Sequence, residues 1–437
     1  MMLTVVLLGL AAPPPPTLAA TPYVDAVRAE AAKIVPGLLK TYEWMHAHPE
    51  VSGQEVETAK RMSQELKKLG MEVHDKIGGT GIVAVLAGKK AGKGPVVLVR
   101  ADMDALPVAE NTGLPYRSTK PGVMHACGHD IHMTDALGAF AILNALASRW
   151  SGTVVAVIQP AEETGRGAAA MLADPRFAQV LAKTGKPQLA LAIHDSWDLA
   201  GTAWFHPGYS SANVDSVEIV VHGKGGHGAH PERTIDPIVI GASIIVELQS
   251  IVARRTKPGE LAVITVGKFE GGTKHNIIPP VARLLLTVRS YGDEMRDFLL
   301  EEIKRVAVHV ARAHAAPQDP EVNVDPVSVP STYNDPAWTE HLRQLFVAAI
   351  GPERVFVEDE KSGGGEDFGR FPKDLGIPGV MYNLGATPKA IYDARGAANV
   401  PGLHSPEFAP DPKATLETGI ALLALAVLEG LMTLPAQ

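Results

Sequence analysis

The sequence predicts an α/β fold: a largely parallel sheet with helices on both faces, interrupted by an inserted α+β unit. Before Asp215, short β-branched runs that are apolar throughout alternate with helical patterns. Such runs are typical of parallel strands buried on both faces. From Asp215 onwards, polar and apolar residues alternate, as they do in half-exposed strands. Long helical patterns and a buried strand return after Asp335, so the middle unit is interpreted as an insertion.

Length and composition limit the domains and the partners. A chain of 437 residues is too long for one compact core. We expect one domain in two parts, residues 21–213 and 328–437, and an inserted domain at residues 214–327. The formal net charge is −8 and no long basic run occurs, which argues against nucleic acid as a partner. The single cysteine excludes an internal disulfide.

Residues 1–20 have the pattern of a secretory signal peptide. An apolar run too short to span a bilayer precedes four prolines and the small residues Ala19 and Ala20. No Lys or Arg precedes the apolar run, so a mis-assigned start codon or a disordered apolar tail are alternatives. We expect a periplasmic or secreted protein without a membrane anchor after processing.

Two helical patterns precede the first strand, at residues 23–40 and 55–69. Pro36 is expected to interrupt the first of them, because proline has no amide hydrogen to donate. His46 and His48 lie beside a helix end that Pro49 closes. We interpret both as surface histidines and leave them out of any site.

Four β-branched runs bounded by Gly and Pro predict the buried strands of the first part. A long helical pattern with apolar residues on most faces, at about residues 130–149, separates the second run from the third. The runs are residues 81–87, 95–100, 152–158 and 189–193.

Polar side chains follow three of these runs directly. Asp102 and Asp104 follow the second run, Glu162 and Glu163 the third, and His194 the fourth. In sheets of this kind, ligands bind outside the carboxyl ends of the strands. These groups are therefore expected to share one site.

The insertion is predicted from two strand–helix–strand groups of antiparallel character. The last part of the chain adds long helices and a buried strand at residues 379–384. In the insertion, strands are expected at residues 216–221, 261–270, 281–290 and 321–324, and helices at residues 234–255 and 293–314.

Residues 124–132 are the densest group of metal-binding side chains, with three histidines, an aspartate and the only cysteine. Cys127 and His129 can supply a thiolate and an imidazole to a metal ion. In the Glu162–Glu163 pair, one carboxylate can coordinate while the other holds the proton of a water molecule. Each group alone has an ordinary structural explanation, but together, with His194 and the later His404, they predict a two-metal hydrolytic site.

The motifs match a known family. The chain resembles, from about Tyr42 to its C-terminus, the metal-dependent amidohydrolases and peptidases that include hippurate hydrolases, N-acyl-amino-acid hydrolases and auxin–amino-acid conjugate hydrolases. The matching stretches, in order, are RADMDALP (residues 100–107), MHACGHD (124–130), QPAEE (159–163), GKGGHGA (223–229), GGTKHNIIP (271–279), GEDF (365–368) and LHSP (403–406).

The resemblance implies a catalytic domain with two divalent metal ions. Zinc suits cysteine and imidazole, and manganese, cobalt or nickel are alternatives. Glu162 is then the general base and acid, and Asp104 orients a ligand. The implied ligands are Cys127, which bridges the ions, and His129, Glu163, His194 and His404.

The resemblance also implies that the insertion is a lid and a dimerisation domain, giving a homodimer or higher homo-oligomer. By analogy, His227 stabilises an oxyanion, in the partner subunit's site if the protein is a dimer. Asn276 and Arg289 would hold the substrate carboxylate or amide, although a surface charge explains Arg289 equally well.

Two stretches depart from the family pattern. In the lid motif, Glu232 follows Pro231 where the family has a histidine, and this changes the edge of the pocket. After His194, residues 195–199 read Asp-Ser-Trp-Asp-Leu where the family often has prolines. Trp197 would offer an aromatic wall to the substrate or pack in the core.

The resulting hypothesis is hydrolysis of the amide bond of an N-acyl amino acid or small peptide-like amide, with Glu162 acting on a water that bridges the ions. A cysteine hydrolase using Cys127 is one alternative, but it leaves the Glu162–Glu163 pair without a purpose. A catalytically silent protein that binds acylated amino acids or peptides is another. The presence of Glu162 together with every candidate ligand argues against it.

Overall fold

The computed structural model describes residues 18–358 and 362–437. Most of the predicted signal peptide, residues 1–17, lies outside the described residues. The structure has three successive segments: one before the insertion, the insertion itself and one after it.

The first segment alternates helices with strands. Pro36 does not interrupt the first helix, contrary to the prediction. That helix packs Val27, Ala31, Val35 and Tyr42 into the core, and this burial offsets the hydrogen bond that proline cannot make. The elements are α1 (Val24–Ala47), α2 (Val56–Lys68), β1 (Glu72–Ile77), β2 (Gly81–Ala87), β3 (Val96–Asp102), α3 (His129–Ala145), β4 (Thr153–Gln159), α4 (Gly167–Ala173), α5 (Pro175–Thr184), β5 (Leu189–Leu199), β6 (Ala203–Phe205) and β7 (Gly208–Tyr209).

The insertion contains two long helices and a sheet of three long strands and one short strand. Two short strands, β9 and β11, pair with each other and form a separate ribbon. The elements are β8 (Asn213–His222), β9 (Gly226–His227), α6 (Pro237–Arg255), β10 (Ala262–Gly271), β11 (Ile277–Ile278), β12 (Val281–Ser290), α7 (Gly292–Ala313) and β13 (Glu321–Val324).

The last segment returns to the first one and completes its sheet and its core. Its elements are β14 (Tyr333–Asn334), α8 (Pro336–Ile350), β15 (Val355–Val357), α9 (Arg370–Leu375), β16 (Gly379–Thr387), α10 (Lys389–Arg395) and α11 (Pro412–Thr433).

Within the described residues, eight strands form the main sheet, in the order β1-β2-β4-β3-β5-β16-β6-β15. The four pairings β4–β3, β3–β5, β5–β16 and β6–β15 are parallel. The pairings β1–β2, β2–β4 and β16–β6 are antiparallel. The chain moves from β3 to β4 on one side and then to β5 on the other, so the strand order reverses at β3, where such sheets bind ligands.

Helices cover both faces of this sheet, as the sequence predicts. On one face, α1, α3, α8 and α11 share the largest apolar cluster with the sheet. On the other face, α4, α5 and α9 contribute Met171, Phe177 and Phe371 to a second cluster. The mixed α/β fold class is therefore confirmed, with the short outer strands β1, β6 and β15 as elements that the sequence did not predict.

The insertion has a sheet and a core of its own. The four strands of this sheet pair antiparallel in the order β10-β12-β8-β13. Ile240 and Ile244 of α6 and Leu299 and Ile303 of α7 pack against the inward side chains of this sheet. Whether this unit is a lid and a dimer interface stays a prediction at this point.

Two described helices, α6 and α11, are long and apolar enough to cross a membrane by composition alone. For α11 the apolar stretch is 89% buried inside the protein, as in a core helix, and for α6 it is 33% buried.

Candidate metal centre

The site lies at the carboxyl ends of β3, β4 and β5, where the strand order reverses. β3 ends at Asp102, and α3 begins at His129 immediately after Gly128. Gly128 has a φ of 84°, and a β-carbon there would lie 2.4 Å from the Asp195 carboxylate. Only glycine allows this turn to bring Cys127 and His129 over the strand ends.

β5 continues to Leu199, six residues beyond the expected end at residue 193. His194 therefore lies inside a strand and not after it. The strand continues because it keeps pairing with β16, where Asn383 lies opposite His194 and Thr387 lies opposite Leu199. The prediction of a strand end was wrong, but the position of the imidazole at the site was not affected.

The five predicted ligands lie close together in the structure. One group consists of Cys127, His129 and His194, and a second of Cys127, Glu163 and His404. In each group, the potential ligand atoms all lie within 4.8 Å of one another. Cys127 belongs to both groups, which is the arrangement that a bridging thiolate requires.

Buried polar atoms without partners test whether these residues fit metal ions. Among the described residues, His129 Nε2 and Glu163 Oε1 are buried and have no hydrogen-bond partner. The His404 Nε2 to Glu163 Oε1 distance is 3.5 Å, too long for a good hydrogen bond. A thiolate, imidazoles and a carboxylate are the donors that zinc-type ions prefer, and an ion would satisfy both atoms. The residues therefore fit a pair of divalent ions.

Glu162 and Glu163 have opposite electrostatic environments. Glu162 Oε2 lies 3.8 Å from His129 Nε2. Burial, followed by the charge of the Glu366 carboxylate, raises the pKa of Glu162 well above its ordinary value. Burial would also raise the pKa of Glu163, but contact with the His404 imidazole and the charge of His129 lower it. Glu163 is suited to bind a cation and Glu162 to exchange a proton.

Asp104 connects two of the ligands. Its backbone oxygen lies 2.8 Å from His129 Nδ1, which directs Nε2 of the same ring towards the other ligands. Its carboxylate accepts hydrogen bonds from the Ser52 hydroxyl and from the Glu163 amide. Asp104 thus lies where the predicted orienting residue is needed, whereas no pattern in the sequence indicated Ser52.

A buried arginine organises the carboxylates behind Glu162. The Arg100 guanidinium donates hydrogen bonds to Asp102 at 2.5 Å, to Glu366 at 2.9 Å and to Gln159 at 2.9 Å. It also lies 3.3 Å from Asp367. We did not predict this network as part of the site, although an arginine at the end of an apolar strand is a signal that could have indicated it.

The remaining histidines of the 124–132 segment, His125 and His132, do not belong to these two ligand groups. His132 Nδ1 lies 2.6 Å from Asp102, and its Nε2 accepts a hydrogen bond from the Asp195 amide. Burial lowers the pKa of His132 to about 4, against the opposing charge of Asp102. His125 is buried, and neither ring nitrogen has a partner among the described residues.

His46 is not a surface residue, contrary to our interpretation of the sequence. Its ring is buried, with Nδ1 2.7 Å from Asp130 and Nε2 3.3 Å from Glu110. Burial alone would lower the pKa of His46, but the hydrogen bonds to Asp130 and Glu110 raise it to about 9. Because Asp130 follows His129, this ion pair connects α1 to the start of the helix that carries a ligand.

Two residues at the site have a left-handed backbone that side chains disfavour. Ala161 has a φ of 51° and His404 a φ of 63°. The Ala161 amide donates to the buried Glu55 carboxylate, and the His404 amide donates to the Ala126 oxygen. These bonds maintain the strained turns that present Glu162, Glu163 and the His404 ring.

A cavity of about 810 Å³ opens over the predicted ligands. Arg289 lies on its wall, and its Nη1 donates to the Gly363 oxygen at 2.6 Å. The segment after His194 also lines it, including the half-exposed Trp197. His227 and Asn276 are not among the described residues that line the cavity. They lie together on the β9–β11 ribbon, where the Gly228 amide donates to the Asn276 oxygen.

Most of this chain is similar in sequence to known proteins. A sequence profile described as peptidase family M20/M25/M40 matches residues 98–429. An N-acetylcysteine deacetylase of Bacillus subtilis is 36% identical over 389 residues, covering 88% of this chain and 95% of that protein. The hippurate hydrolase of Campylobacter jejuni is 36% identical over 329 residues, covering 75% of this chain and 82% of that protein.

A solved structure is also similar to most of this chain. A Bacillus subtilis protein described as a dinuclear metal binding peptidase from the M20 family superposes with a TM-score of 0.73 at 33% identity. The match covers 91% of this chain and 99% of that one.

Proposed function

The chain belongs to the peptidase family M20/M25/M40, and on that premise we propose that it releases free amino acids from N-acyl amino acids. It is a hydrolase of amide bonds that depends on metal ions. The observation that carries this conclusion is the convergence of Cys127, His129, His194, Glu163 and His404 beside a buried Glu162.

Zinc is the proposed resident ion at both positions. The two ions would be held by Cys127, His129, His194, Glu163 and His404, and Cys127 belongs to both ligand groups. When bound, divalent ions at this place polarise a carbonyl group and make water a better nucleophile. A cysteine ligand favours zinc over the harder manganese, and cobalt and nickel are the competing ions that reconstitution has to compare.

Glu162 accepts and then donates the proton that is transferred in the reaction. A water molecule attacks the substrate carbonyl carbon while a Glu162 carboxylate oxygen accepts a proton from it. Glu162 then donates that proton to the amide nitrogen as the carbon–nitrogen bond breaks, and the free amine leaves. The raised pKa of Glu162 suits it to the second role, because the carboxyl group holds its proton until the leaving nitrogen accepts it.

The substrate class is proposed to be N-acyl amino acids with small or aromatic acyl groups, and small peptides are alternative substrates. The named relatives are a deacetylase and a hippurate hydrolase, and hippurate carries a benzoyl group. Trp197 on the cavity wall supplies an aromatic surface, and Arg289 supplies a cation for a substrate carboxylate.

A homodimer formed through the insertion is part of the proposal, and higher homo-oligomers are an alternative. The insertion exposes large apolar side chains, among them Val239 (51%), Val246 (72%) and Ile277 (50%). β10 is an edge strand whose backbone has no neighbour on one side among the described residues. Val246→Glu should yield monomers by light scattering, whereas Lys304→Glu, on α7, should leave the oligomer intact.

Such a dimer would explain the positions of His227 and Asn276. We propose that the insertion of one subunit closes over the partner's cavity as a lid. The partner's His227 would then donate a hydrogen bond to the oxyanion that forms during attack, and the partner's Asn276 would contact the substrate. Export to the periplasm or medium is also proposed, on the signal-peptide pattern of residues 1–20.

A metal-dependent hydrolysis panel tests the proposal. Chelated protein should be inactive on N-acetyl, N-benzoyl and dipeptide substrates, and addition of two equivalents of zinc, manganese, cobalt or nickel should restore activity on the N-acyl amino acids. The highest turnover with zinc, at a stoichiometry of two ions per chain by mass spectrometry, supports the proposed ion. No hydrolysis of any amide with any ion, in protein that binds metal, would overturn the proposed function.

A further inference from the structure

A buried carboxylate near the C-terminus, that of Glu429, accepts hydrogen bonds from the backbone at the start of the described residues. Glu429 lies in α11, is fully buried, and is surrounded along the helix by apolar side chains such as Leu425 and Leu428. Its Oε2 accepts a hydrogen bond from the Ala20 amide at 2.6 Å, and its Oε1 accepts one from the Ala19 amide at 3.1 Å.

The charge of Glu429 is only partly compensated by these contacts. Two peptide amides are neutral donors, and a buried carboxylate normally requires a cation. Within residues 18–358 and 362–437, the ionic partner of Glu429 is His341, whose Nε2 lies 2.6 Å from Oε1. Among the described residues, the Ala20 nitrogen is the hydrogen-bond donor to Oε2, at the short distance of 2.6 Å.

We propose that the processed chain begins at Ala20 and that its α-ammonium group forms a buried ion pair with Glu429. An ammonium at this nitrogen would have three N–H donors where the peptide nitrogen has one. It could therefore replace the Ala19 donor that processing removes, and it would add the positive charge that a buried carboxylate needs.

The residues before Ala20 fit this position independently of the structure. Leader peptidases cleave after small residues at the last and third-last positions of the leader. Cleavage after Ala19 places Thr17 at the third-last position, whereas cleavage after Ala20 places the larger Leu18 there. The proposed boundary is thus one residue earlier than the end of the leader that the sequence alone suggested.

The processing step is a simple hydrolysis. Water is added across the Ala19–Ala20 peptide bond by a leader peptidase. The carboxylate formed on Ala19 leaves with the leader, and the amine formed on Ala20 takes up a proton from solvent. Ala20 is fully buried in the folded protein, so cleavage precedes folding, as it does when a chain is exported unfolded.

A double-mutant cycle on the start residue and Glu429 tests the ion pair without any need for export. The first chain begins at Ala20, produced behind a protease site that leaves no extra residue, and the second carries one additional glycine before Ala20. Each is made with and without Glu429→Gln. The Ala20 chain should melt about 2–4 °C above the glycine-extended chain, and this difference should vanish in the Glu429→Gln background.

Two results of the cycle would overturn the ion pair: equal melting temperatures of the two start forms, or a difference that persists with Glu429→Gln. A chain beginning at Leu18 shows whether the partly buried Leu18 side chain stabilises the fold more than the ammonium does. A higher melting temperature for that chain than for the Ala20 chain would also contradict the proposal.

Amine labelling provides a test if Glu429→Gln does not fold. At a fixed pH, an amine-reactive reagent should modify the α-amine of the Ala20 chain at least about 10-fold more slowly than that of the glycine-extended chain, because the ion-paired amine is buried. Equal labelling rates would contradict burial of the amine.

Intact-mass analysis tests the processing step. The full chain, expressed in a bacterial host and recovered from its periplasm, should have the mass of residues 20–437, and Ala19→Lys should prevent that cleavage. This arm rests on the proposed export, whereas the stability cycle does not. A mature chain that begins at another residue, or that keeps its leader, would overturn the processing step.

Discussion

Two neighbouring carboxylates show how strongly local environment separates side chains of the same type. Glu162 and Glu163 follow the same strand, yet the pKa of the first is raised by burial and by the Glu366 carboxylate, while contact with His404 lowers the pKa of the second. Arg100 donates a hydrogen bond to Glu366, and its own charge partly opposes the rise in the pKa of Glu162. The division into a base and a ligand therefore depends on residues from distant parts of the chain.

Replacement of Glu162 by glutamine should separate catalysis from metal binding. Glutamine has a similar shape but cannot accept and return a proton, so turnover should fall roughly 10²–10⁴-fold while both ions remain bound. Steady-state kinetics and metal analysis on the same sample measure both effects. Glu163→Gln is the matched control, because it should lower the bound metal content. Near-normal turnover of Glu162→Gln would remove Glu162 from the mechanism.

His46 gives a pH-dependent contribution to stability. The Asp130 and Glu110 carboxylates raise its folded pKa to about 9, against the effect of burial. A raised folded pKa means that the contribution is fully present below the unfolded value near 6.5 and is lost as the pH rises through about 9. The upper bound of this contribution is about 3.4 kcal/mol, from a pKa difference of about 2.5 units.

The measurement is the difference in unfolding free energy between the wild type and His46→Gln, from urea titrations at pH 6 and at pH 9.5. The difference should be larger at pH 6 and small at pH 9.5. His48→Gln is a suitable control, since the His48 ring contacts only the Trp44 backbone oxygen among hydrogen-bond acceptors in the described chain. A His46→Gln difference that does not change with pH would contradict the ion-pair interpretation.

At the scale of elements, the sequence predicted the strand ends that are set by the local residue pattern. It did not predict the strand ends that are set by pairing with a strand far away in the chain. The strands at residues 81–87 and 281–290 have the predicted bounds because β-branched runs end at glycine or proline or at a change of pattern. β5 continues beyond residue 193 because β16, far away in sequence, continues to pair with it. The polar residues Asp195 and Ser196 resemble a loop until that partner is known.

Contacts with distant parts of the chain also explain why the predictions of a surface position for His46 and of a helix break at Pro36 were wrong. The partners of His46 lie 64 and 84 residues away, and the burial that maintains α1 through Pro36 comes from α3 and α11. Four ligands, Cys127, His129, Glu163 and His404, were predictable because each lies in a short motif of the sequence, and His194 because it follows an apolar run. The Arg100 network was not, because its members come from three segments that only the folded sheet brings together.

The extended end of β5 should influence which acyl groups are accepted. Trp197 is 49% exposed and lines the cavity, so its ring can contact an aromatic acyl group. Trp197→Ala should lower kcat/KM for an N-benzoyl amino acid about 3–10-fold and leave the N-acetyl analogue nearly unchanged. Trp197→Phe should retain most of the preference. Equal losses on both substrates would indicate that the ring only supports the fold.

At the scale of the whole molecule, the proposed catalytic residues do not all lie on the cavity wall within one described chain. The cavity is lined by Glu162 and by four of the five proposed metal ligands, whereas His227 lies on the ribbon of the insertion and not on the described cavity wall. The sequence alone could not show whether His227 acts in its own subunit or in the partner's. The order of the motifs along the chain does not indicate which subunit a lid covers. If His227 acts in the partner's site, then each functional site contains residues of two chains.

Mixing two inactive variants tests this arrangement directly. Glu162→Gln and His227→Ala homodimers should each be nearly inactive. In a mixed dimer, one site combines the intact Glu162 of one chain with the intact His227 of the other. Random exchange of subunits makes half of the dimers mixed, so activity should recover to about a quarter of the wild-type value. If His227 acted in its own chain, no mixed dimer would contain an intact site. The activity of the mixture is compared with the sum of the activities of the two separate variants, after subunit exchange has been verified. If the mixture is no more active than that sum, His227 acts in its own subunit or outside the mechanism.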